Sequence, residues 1–262
     1  MKLCLNALMV LASWFVGAHA PAADVPRLLG KPNLNGIWQA MNTADWNLEA
    51  HSAEKINGAW PFGALFAIPA GKSVVVGGNI PYLPAALKQR DDNRAGWPKS
   101  DPETLCDLPG IPRATYLPYP FQIIQGDRDI LMAYAYATAN RTIHMSDHKV
   151  PPVDSWMGLS NGHWEKDTLV VETSGFNGRA HLDRAGNYFS PTLRVTERFT
   201  LESPTVIRYE ATLVDPQTYA TPWTIRMPLY RHVESQAELL DFKCVPFVEE
   251  LLYKDLELPS AK

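Results

Sequence analysis

Two stretches decide the fold of this chain: residues 162–177 read GHWEKDTLVVETSGFN, and residues 193–200 read LRVTERFT. In both, β-branched and aromatic residues alternate with polar ones, which is the period-2 pattern of a half-buried strand. Further strand-forming segments lie at 121–125, 130–136, 141–145, 205–214 and 223–230. Ser203-Pro204 and Asp215-Pro216 separate the later segments as turns. The pattern predicts an all-β fold of successive antiparallel strands.

A sheet built from such a meander must remove its exposed edges. It does so either by closing into a lipocalin-like, up-and-down barrel or by folding into a two-sheet sandwich. We expect one domain, with a loop-rich part at residues 21–118 and the antiparallel meander at 119–262. The loop-rich part is predicted to contain a strand at 34–39 and a short helix at 85–94, and a further helix at 245–253 closes the chain.

The first predicted strand carries Gly36 and Trp38 as a G-x-W pair. This pair resembles the opening of lipocalin-like barrels, in which a Trp plugs one end and an Arg from a late strand covers it. The resemblance implies that Arg231, which follows the last predicted strand, covers Trp38. The alternative is that Trp38 is an ordinary core residue.

Residues 1–20 have the features of an export signal. Lys2 supplies a basic start, residues 3–16 form an apolar run too short to span a bilayer, and Ala18-His19-Ala20 fits a cleavage site. We therefore expect a periplasmic or secreted protein that begins near Pro21 and is not inserted in a membrane after cleavage.

Cys106 and Cys244 are the cysteines that remain after this cleavage. In an oxidising compartment they are expected either to form one disulfide that closes a long loop or to stay as two buried thiols. Neither belongs to a C-x-x-C pair, which argues against a redox or metal role.

Composition and motifs argue against several classes of function. The formal net charge is −4 and there is no basic run, so nucleic acid is not expected as a partner. No cofactor fingerprint occurs, and no cofactor is expected. Residues 158–162 match G-x-S-x-G, but that motif marks a serine nucleophile only at a strand-to-helix turn of a parallel sheet.

Glu197 shares a strand face with Val195 and Phe199. Burying an unpaired carboxylate costs several kcal/mol, so this acid must be paired, protonated or functional. One expectation is a buried pair with a cross-strand Arg, either Arg208 or Arg226. The other is an acid–base group with a raised pKa.

Four further residues are candidates for acid–base catalysis: His144, His148, His181 and Asp183. They lie in or beside predicted loops, where a carboxylate can fix the tautomer of a neighbouring imidazole. A metal site built on His144 and His148 is a lesser alternative, because Pro151-Pro152 prevents the helix that would place both imidazoles on one face.

Aromatic residues are dense in the same part of the chain and predict a site for a small apolar or aromatic ligand. The candidate ligand-binding residues are Trp156, Trp164, Phe176 and Tyr188. Arg141 or Arg198 is expected to hold an anionic part of the ligand. The oligomeric state is left open.

Residues 162–177, with Trp156-Met157-Gly158 before them and Glu197-Arg198-Phe199 after them, resemble the core of a family of secreted bacterial proteins, in which this segment commonly reads GrWEgDTLVVdTvGFN. The resemblance covers roughly residues 32–250 and implies an exported, single-domain, β-rich protein; it implies no particular activity. Relatives often have a His in the segment that is Tyr188-Phe189-Ser190 here, so any role of that His is absent or altered.

These observations support two hypotheses from different classes. The first is a cofactor-independent enzyme of the isomerase, hydratase or lyase type, in which His, Glu and Asp side chains move a proton on a small apolar or aromatic substrate. The second is a non-catalytic, lipocalin-like periplasmic carrier of a small hydrophobic ligand. An enzyme requires at least two titratable groups to converge in the pocket, whereas a carrier does not.

Overall fold

The computed structural model of the protein describes residues 25–55 and 67–246. Nine strands close into a barrel, which confirms the all-β prediction and selects the barrel over the sandwich. The strands in chain order are β1 (Arg27–Leu28), β2 (Lys31–Pro32), β3 (Gly36–Ala40), β4 (Glu54–Lys55), β5 (Ala67–Ile68), β6 (Phe121–Gln125), β7 (Asp129–Tyr134), β8 (Asn140–His144), β9 (Leu159–Glu165), β10 (Thr168–Ser174), β11 (Arg194–Ser203), β12 (Val206–Val214) and β13 (Trp223–Arg231). The predicted export signal and most of the predicted C-terminal helix lie outside the described residues.

The barrel follows the chain as a meander, in the order β3-β6-β7-β8-β9-β10-β11-β12-β13, and β13 pairs with β3 to close it. β8 and β9 are parallel, because residues 145–158 carry the chain back to the other end before β9 begins. The other neighbours are antiparallel, and the short turns at 126–128, 166–167 and 204–205 therefore share one end. We call this the hairpin end; the long connections lie at the opposite end.

Strand residues alternate between the barrel interior and the outside, as the period-2 pattern predicts. On β11, Val195, Glu197 and Phe199 are buried, whereas Arg194 on the other face is exposed. Phe199 packs on Tyr209 of β12, with ring centroids 5.0 Å apart. The sequence alternation therefore decides which side chains fill the barrel.

Trp38 and Arg231 close the hairpin end. Trp38 is fully buried, and the guanidinium carbon of Arg231 lies 4.3 Å from its ring centroid. Arg231 Nε donates to the Pro204 carbonyl at 2.7 Å, and its Nη1 donates to the carbonyl of Asn35. Gly36 has a φ of +138°, and a Cβ there would overlap the guanidinium, so this approach requires glycine. Arg231 therefore covers Trp38.

A cap lies over the opposite end of the barrel, and we define it as residues 41–55, 67–118 and 175–193. It contains the predicted helix as α1 (Pro84–Gly96), a 3-10 turn (Pro102–Leu105) and α2 (Arg113–Tyr116). Pro84 occupies the first turn of α1, where its missing N–H leaves no helical hydrogen bond unmade. None of the helices in the described ranges is long and apolar enough to cross a membrane.

A disulfide between Cys106 and Cys244 joins the cap to the segment that follows β13. It confirms the disulfide alternative and closes a loop with a sequence separation of 138. Phe242 packs beside it on Tyr119 and Tyr136, with ring centroids 4.4 and 5.9 Å apart. The disulfide is typical of proteins in an oxidising compartment.

Candidate functional site

Arg141 and Glu197 meet inside the barrel. Arg141 Nη1 and Nη2 donate to Glu197 Oε2 and Oε1 at 2.6 and 3.0 Å, and the two side chains are 3% and 0% exposed. The Tyr209 hydroxyl also donates to Oε1, at 2.9 Å. Burial raises the pKa of Tyr209 well above its usual range, so this hydroxyl keeps its proton. Both carboxylate oxygens of Glu197 are therefore engaged in a buried ion pair.

The expectation that Glu197 pairs with Arg208 or Arg226 was wrong. Glu197 lies opposite Ala211 in the β11–β12 register, on the inner face. Arg208 and Arg226 have the opposite parity on their strands, and they pair on the outer face with Glu210 at 3.7 and 2.7 Å. The partner of Glu197 comes instead from β8, across the barrel interior, and no local pattern predicts it.

Asp183 is fully buried in the cap, where its oxygens accept three hydrogen bonds. Oδ2 accepts from the Leu48 amide at 2.9 Å and from Asn187 Nδ2 at 2.6 Å, and Oδ1 accepts from the Asn187 amide at 3.1 Å. Burial raises the pKa of Asp183 to about 6, although these hydrogen bonds act in the opposite direction. Asp183 therefore ties the connection at 175–193 to the segment around Leu48.

His181 lies beside Asp101, with its Nδ1 atom 3.9 Å from Asp101 Oδ1. Burial lowers the pKa of His181 to about 4, although Asp101 raises it. The ring is therefore neutral at pH 7. Asp183 accepts its hydrogen bonds from Leu48 and Asn187 instead, so the structure does not join His181 and Asp183 as the sequence suggested.

Five charged residues form a buried cluster that we call the cap ion network: Asp45, Asp101, Glu103, Arg113 and Arg184. Arg113 donates to both oxygens of Asp101, at 2.7 and 3.0 Å, and to Asp45 at 3.2 Å. Arg184 lies 3.2 Å from Asp45 and 3.1 Å from Glu103. Burial raises the pKa of Asp101, but Arg113 outweighs this effect and holds the pKa below its ordinary value. Each charged group of the network therefore has an oppositely charged partner.

A cavity of about 550 Å³, which we call the cap pocket, opens beside this network. Trp46, Trp97 and His51 line it together with Arg94 and Arg184. The rings of Trp46 and Trp97 have centroids 6.0 Å apart and are tilted by 58°. The guanidinium carbon of Arg184 lies 4.5 Å from the Trp46 ring centroid, so the cap ion network supports one face of the pocket.

The backbone around the cap pocket explains why these side chains meet. Trp46 lies in a turn after β3, where its amide donates to the Thr43 carbonyl at 3.0 Å. Trp97 follows α1 and donates from its amide to the Arg94 carbonyl. His51 is bridged to Gly71 by two backbone hydrogen bonds of 3.0 and 2.9 Å. Residues from all three ranges of the cap therefore supply the walls: Trp46 and His51 from 41–55, Trp97 from 67–118 and Arg184 from 175–193.

His144 and His148 lie away from the cap pocket. His144 is at the hairpin end of β8, where its Nδ1 lies 2.9 Å from Asp129 Oδ1. His148 lies on the connection to β9, with its Nε2 atom 3.0 Å from the Gly162 carbonyl oxygen. Within the described ranges, no group of three or more His, Cys, Asp or Glu side chains is placed to hold a metal ion.

The predicted ligand-binding residues are spread over the molecule. Phe176 is fully buried against Phe189, and Tyr188 stacks on Tyr82 with ring centroids 6.1 Å apart. The remaining members have polar or charged neighbours: Trp156 with Arg179, Trp164 with Lys31, and Arg198 with Glu165. From the predicted set, the structure joins the side chains of Arg141 and Glu197 and pairs His181 with Tyr188 in an isolated backbone bridge. None of these four is among the described residues of the cap pocket.

Sequence reasoning missed the residues of the cap pocket. Trp46, His51 and Trp97 lie in the loop-rich part, where no periodicity reports which side chains are near one another. The available signal was compositional, because tryptophan is common in this otherwise polar part. A scan of protein-family models finds no match to this chain, and no curated protein is significantly similar to it.

Proposed function

We propose that this protein is an exported binding protein that holds a small aromatic molecule in the cap pocket. The observation that carries the proposal is the cavity of about 550 Å³ that Trp46 and Trp97 line as a contacting aromatic pair. Small-molecule sites are concave, typically of about 300–1,000 Å³, and are lined by aromatic side chains with a few polar groups. The cap pocket has this size, and Trp46 and Trp97 line it together with polar and charged side chains.

The pocket wall is preorganised by charge. Arg184 is held by Asp45 and Glu103 and lies over the Trp46 ring, so the indole is supported before a ligand arrives. A preorganised wall lowers the conformational entropy that binding costs. A flat ligand ring is expected to pack on the indoles, since aromatic pairs gain energy beyond the area that they bury.

Binding without catalysis is favoured because the predicted acid–base groups lie away from the cap pocket, and the carboxylates that do line it, Glu54 and Asp91, are paired with Arg94 and Arg90. Glu197 is engaged by Arg141, Asp183 by three hydrogen bonds and His144 by Asp129. None of these three is among the described residues that line the cap pocket. General acid–base chemistry requires such groups within hydrogen-bond reach of the bound molecule.

Export is part of the proposal. The disulfide between Cys106 and Cys244 supports an oxidising compartment, and residues 1–20 have the composition of an export signal. The two together support a periplasmic or secreted location. The partner is then a small molecule of that compartment.

The test is equilibrium binding of naphthalene, followed by fluorescence, to the wild type and to two tryptophan variants. Trp46→Ala removes a pocket wall, whereas Trp164→Ala removes a partly buried indole that stacks with Lys31 near the hairpin end. We expect Trp46→Ala to weaken binding at least about tenfold, as loss of an aromatic anchor does, and Trp164→Ala to leave it unchanged. Equal affinity in all three proteins, or no binding to the wild type, would contradict the proposal.

A further inference from the structure

One face of α1 presents an acid and a base to the cap pocket. Asp91, Arg94 and Ala95 line the cavity, and their i, i+3, i+4 spacing places them on the same side of the helix. Residues spaced in this way have Cβ atoms about 5–6 Å apart. A carboxylate and a guanidinium therefore lie side by side at the cavity.

Trp97 continues this face into the aromatic wall. It follows the last turn of α1, where its amide donates to the Arg94 carbonyl. Its ring packs on Trp46, with ring centroids 6.0 Å apart. The segment 91–97 therefore presents a negative charge, a positive charge and an aromatic ring to one cavity.

The ion pairs at this edge of the cavity are open to solvent. Arg94 Nη2 lies 3.3 Å from Glu54 Oε2, and the two side chains are 56% and 49% exposed. Asp91 Oδ1 lies 2.7 Å from Arg90 Nε, and the Asp91 side chain is 65% exposed. Exposed pairs of this kind are weak, because water screens them and holding two long side chains costs entropy. A charged group of a ligand can therefore replace either partner at low cost.

The formal charges of the acidic and arginine side chains that line the cavity cancel. Glu54 and Asp91 supply the negative charges, and Arg94 and Arg184 supply the positive ones. A ligand with a net charge of either sign would leave this balance, and a ligand without charges would leave the ions to one another and to water. A ligand with one charge of each sign is complementary to both.

From these observations we infer that the ligand is an aromatic α-amino acid or a zwitterion of the same layout. Its ring packs on Trp46 and Trp97, its ammonium group faces Asp91 and its carboxylate faces Arg94. This inference rests on the proposed aromatic-binding function and adds the polar half of the ligand. Both ligand charges stay at the exposed edge of the cavity, so binding does not require burying an ion.

The test compares four probes that share the naphthyl ring, by calorimetric titration of the wild type. The zwitterion is 3-(2-naphthyl)-L-alanine; 3-(2-naphthyl)propionate lacks its ammonium group, 2-(2-naphthyl)ethylamine lacks its carboxylate and 2-ethylnaphthalene lacks both. We expect the zwitterion to bind about three to five times more tightly than either singly charged probe, which is the gain that an exposed ion pair provides. Added salt should reduce this preference, because it screens exposed charges.

Asp91→Asn tests the ammonium site. It should bring the zwitterion and the propionate to about equal affinity, because the ammonium group then has no carboxylate to face. Asp92→Asn is the matched control, since Asp92 is the next residue, is also exposed and pairs with Lys88. Asp92 is not among the described residues that line the cavity, so its replacement should leave the ratio unchanged.

Arg94→Gln tests the carboxylate site. It should bring the zwitterion and the ethylamine to about equal affinity, because the carboxylate then has no cation to face. Arg208→Gln is the matched control, since Arg208 is a similarly exposed arginine on the outer face of β12. It should leave this ratio unchanged.

The outcomes separate the inference from the function on which it rests. If the four probes bind the wild type equally, or if a singly charged probe binds most tightly, the inference fails and the aromatic-binding function stands. If none of them binds, the proposed function itself fails. A preference for the zwitterion that survives both Asp91→Asn and Arg94→Gln contradicts the inference as well. If a variant does not fold, the order of the four probes on the wild type still decides.

Discussion

The guanidinium of Arg231 lies on the ring of Trp38, with its central carbon 4.3 Å from the ring centroid. The contact joins the last barrel strand to the first, at the seam where β13 pairs with β3. Arg231 also reaches the carbonyls of Asn33 and Pro204, so one side chain satisfies backbone acceptors from two turns. The closure of the barrel therefore depends on this pair.

Replacing Arg231 by Leu should lower the free energy of unfolding by about 1–3 kcal/mol, because the variant leaves partly buried carbonyls without their donor and uncovers the Trp38 ring. Arg208→Leu is the control, since Arg208 is about half exposed on the outer face of β12 and such sites contribute about 0–1 kcal/mol. Urea unfolding measures both variants. An equal effect of the two substitutions would show that the cover on Trp38 does not stabilise the barrel.

Replacing one partner of the buried ion pair between Arg141 and Glu197 should lower the free energy of unfolding more than replacing both partners. Glu197→Leu leaves Arg141 charged and unpaired in the barrel interior, and we expect a loss of about 3–5 kcal/mol. The double variant Arg141→Met with Glu197→Leu should be more stable than Glu197→Leu alone, because this ion pair then leaves no charge in the barrel interior. Thermal unfolding of the two proteins decides, and a double variant less stable than the single one would contradict this account.

The disulfide should stabilise the contact between the cap and the segment after β13. Replacing Cys106 and Cys244 together by Ser should lower the free energy of unfolding by about 2–5 kcal/mol. The wild type should show no titratable thiol at these two positions before reduction. Reduced wild type and the double Ser variant should unfold at similar urea concentrations, and a clear difference between them would mean that the substitutions act by another route.

His181 and Asp183 should make the free energy of unfolding depend on pH in opposite directions. The pKa of His181 is held at about 4 in the folded protein, against 6.5 unfolded. As the pH falls through this window, the unfolded chain alone takes up the proton and stability is lost. The pKa of Asp183 is raised to about 6, so the folded protein takes up that proton first and stability is gained.

The two effects offset one another in the wild type between about pH 6 and pH 4. On going from pH 7 to pH 4, the free energy of unfolding of His181→Gln should therefore rise by about 3 kcal/mol relative to that of the wild type. Asp183→Asn should show the reverse trend. Urea unfolding at a series of pH values measures both slopes. Parallel slopes for the wild type and both variants would contradict the assignment.

The sequence predicts the antiparallel strands and their buried faces well, because strand parity is a local property, whereas it leaves open whether they form a barrel or a sandwich. Residues 193–200 alternate in the chain as β11 alternates between the interior and the outside. The turn between β6 and β7 and the helix α1 were likewise predictable from Gly126 and from Pro84 in its first turn. The parallel step from β8 to β9 was not, because it depends on where the connection at 145–158 runs.

The candidate site was less predictable, because it depends on contacts between distant segments. Glu197 was identified as a buried acid that requires a partner, but its partner Arg141 lies 56 residues away in sequence. Trp46 and Trp97 meet only when α1 packs beside the turn after β3, and neither lies in a periodic segment. Local patterns predict which residues are buried, whereas the choice of partners follows from the tertiary fold.

The most direct test of the central claim follows the indole N–H signals of the tryptophans in a ¹⁵N–¹H correlation spectrum while 2-naphthol is added. The signals are assigned with Trp46→Phe, Trp97→Phe, Trp38→Phe and Trp164→Phe. We predict that the signals of Trp46 and Trp97 shift saturably, whereas those of Trp38 and Trp164 stay in place. Saturable shifts at Trp38 or Trp164 with none at Trp46 and Trp97 would place the binding site elsewhere and contradict the account.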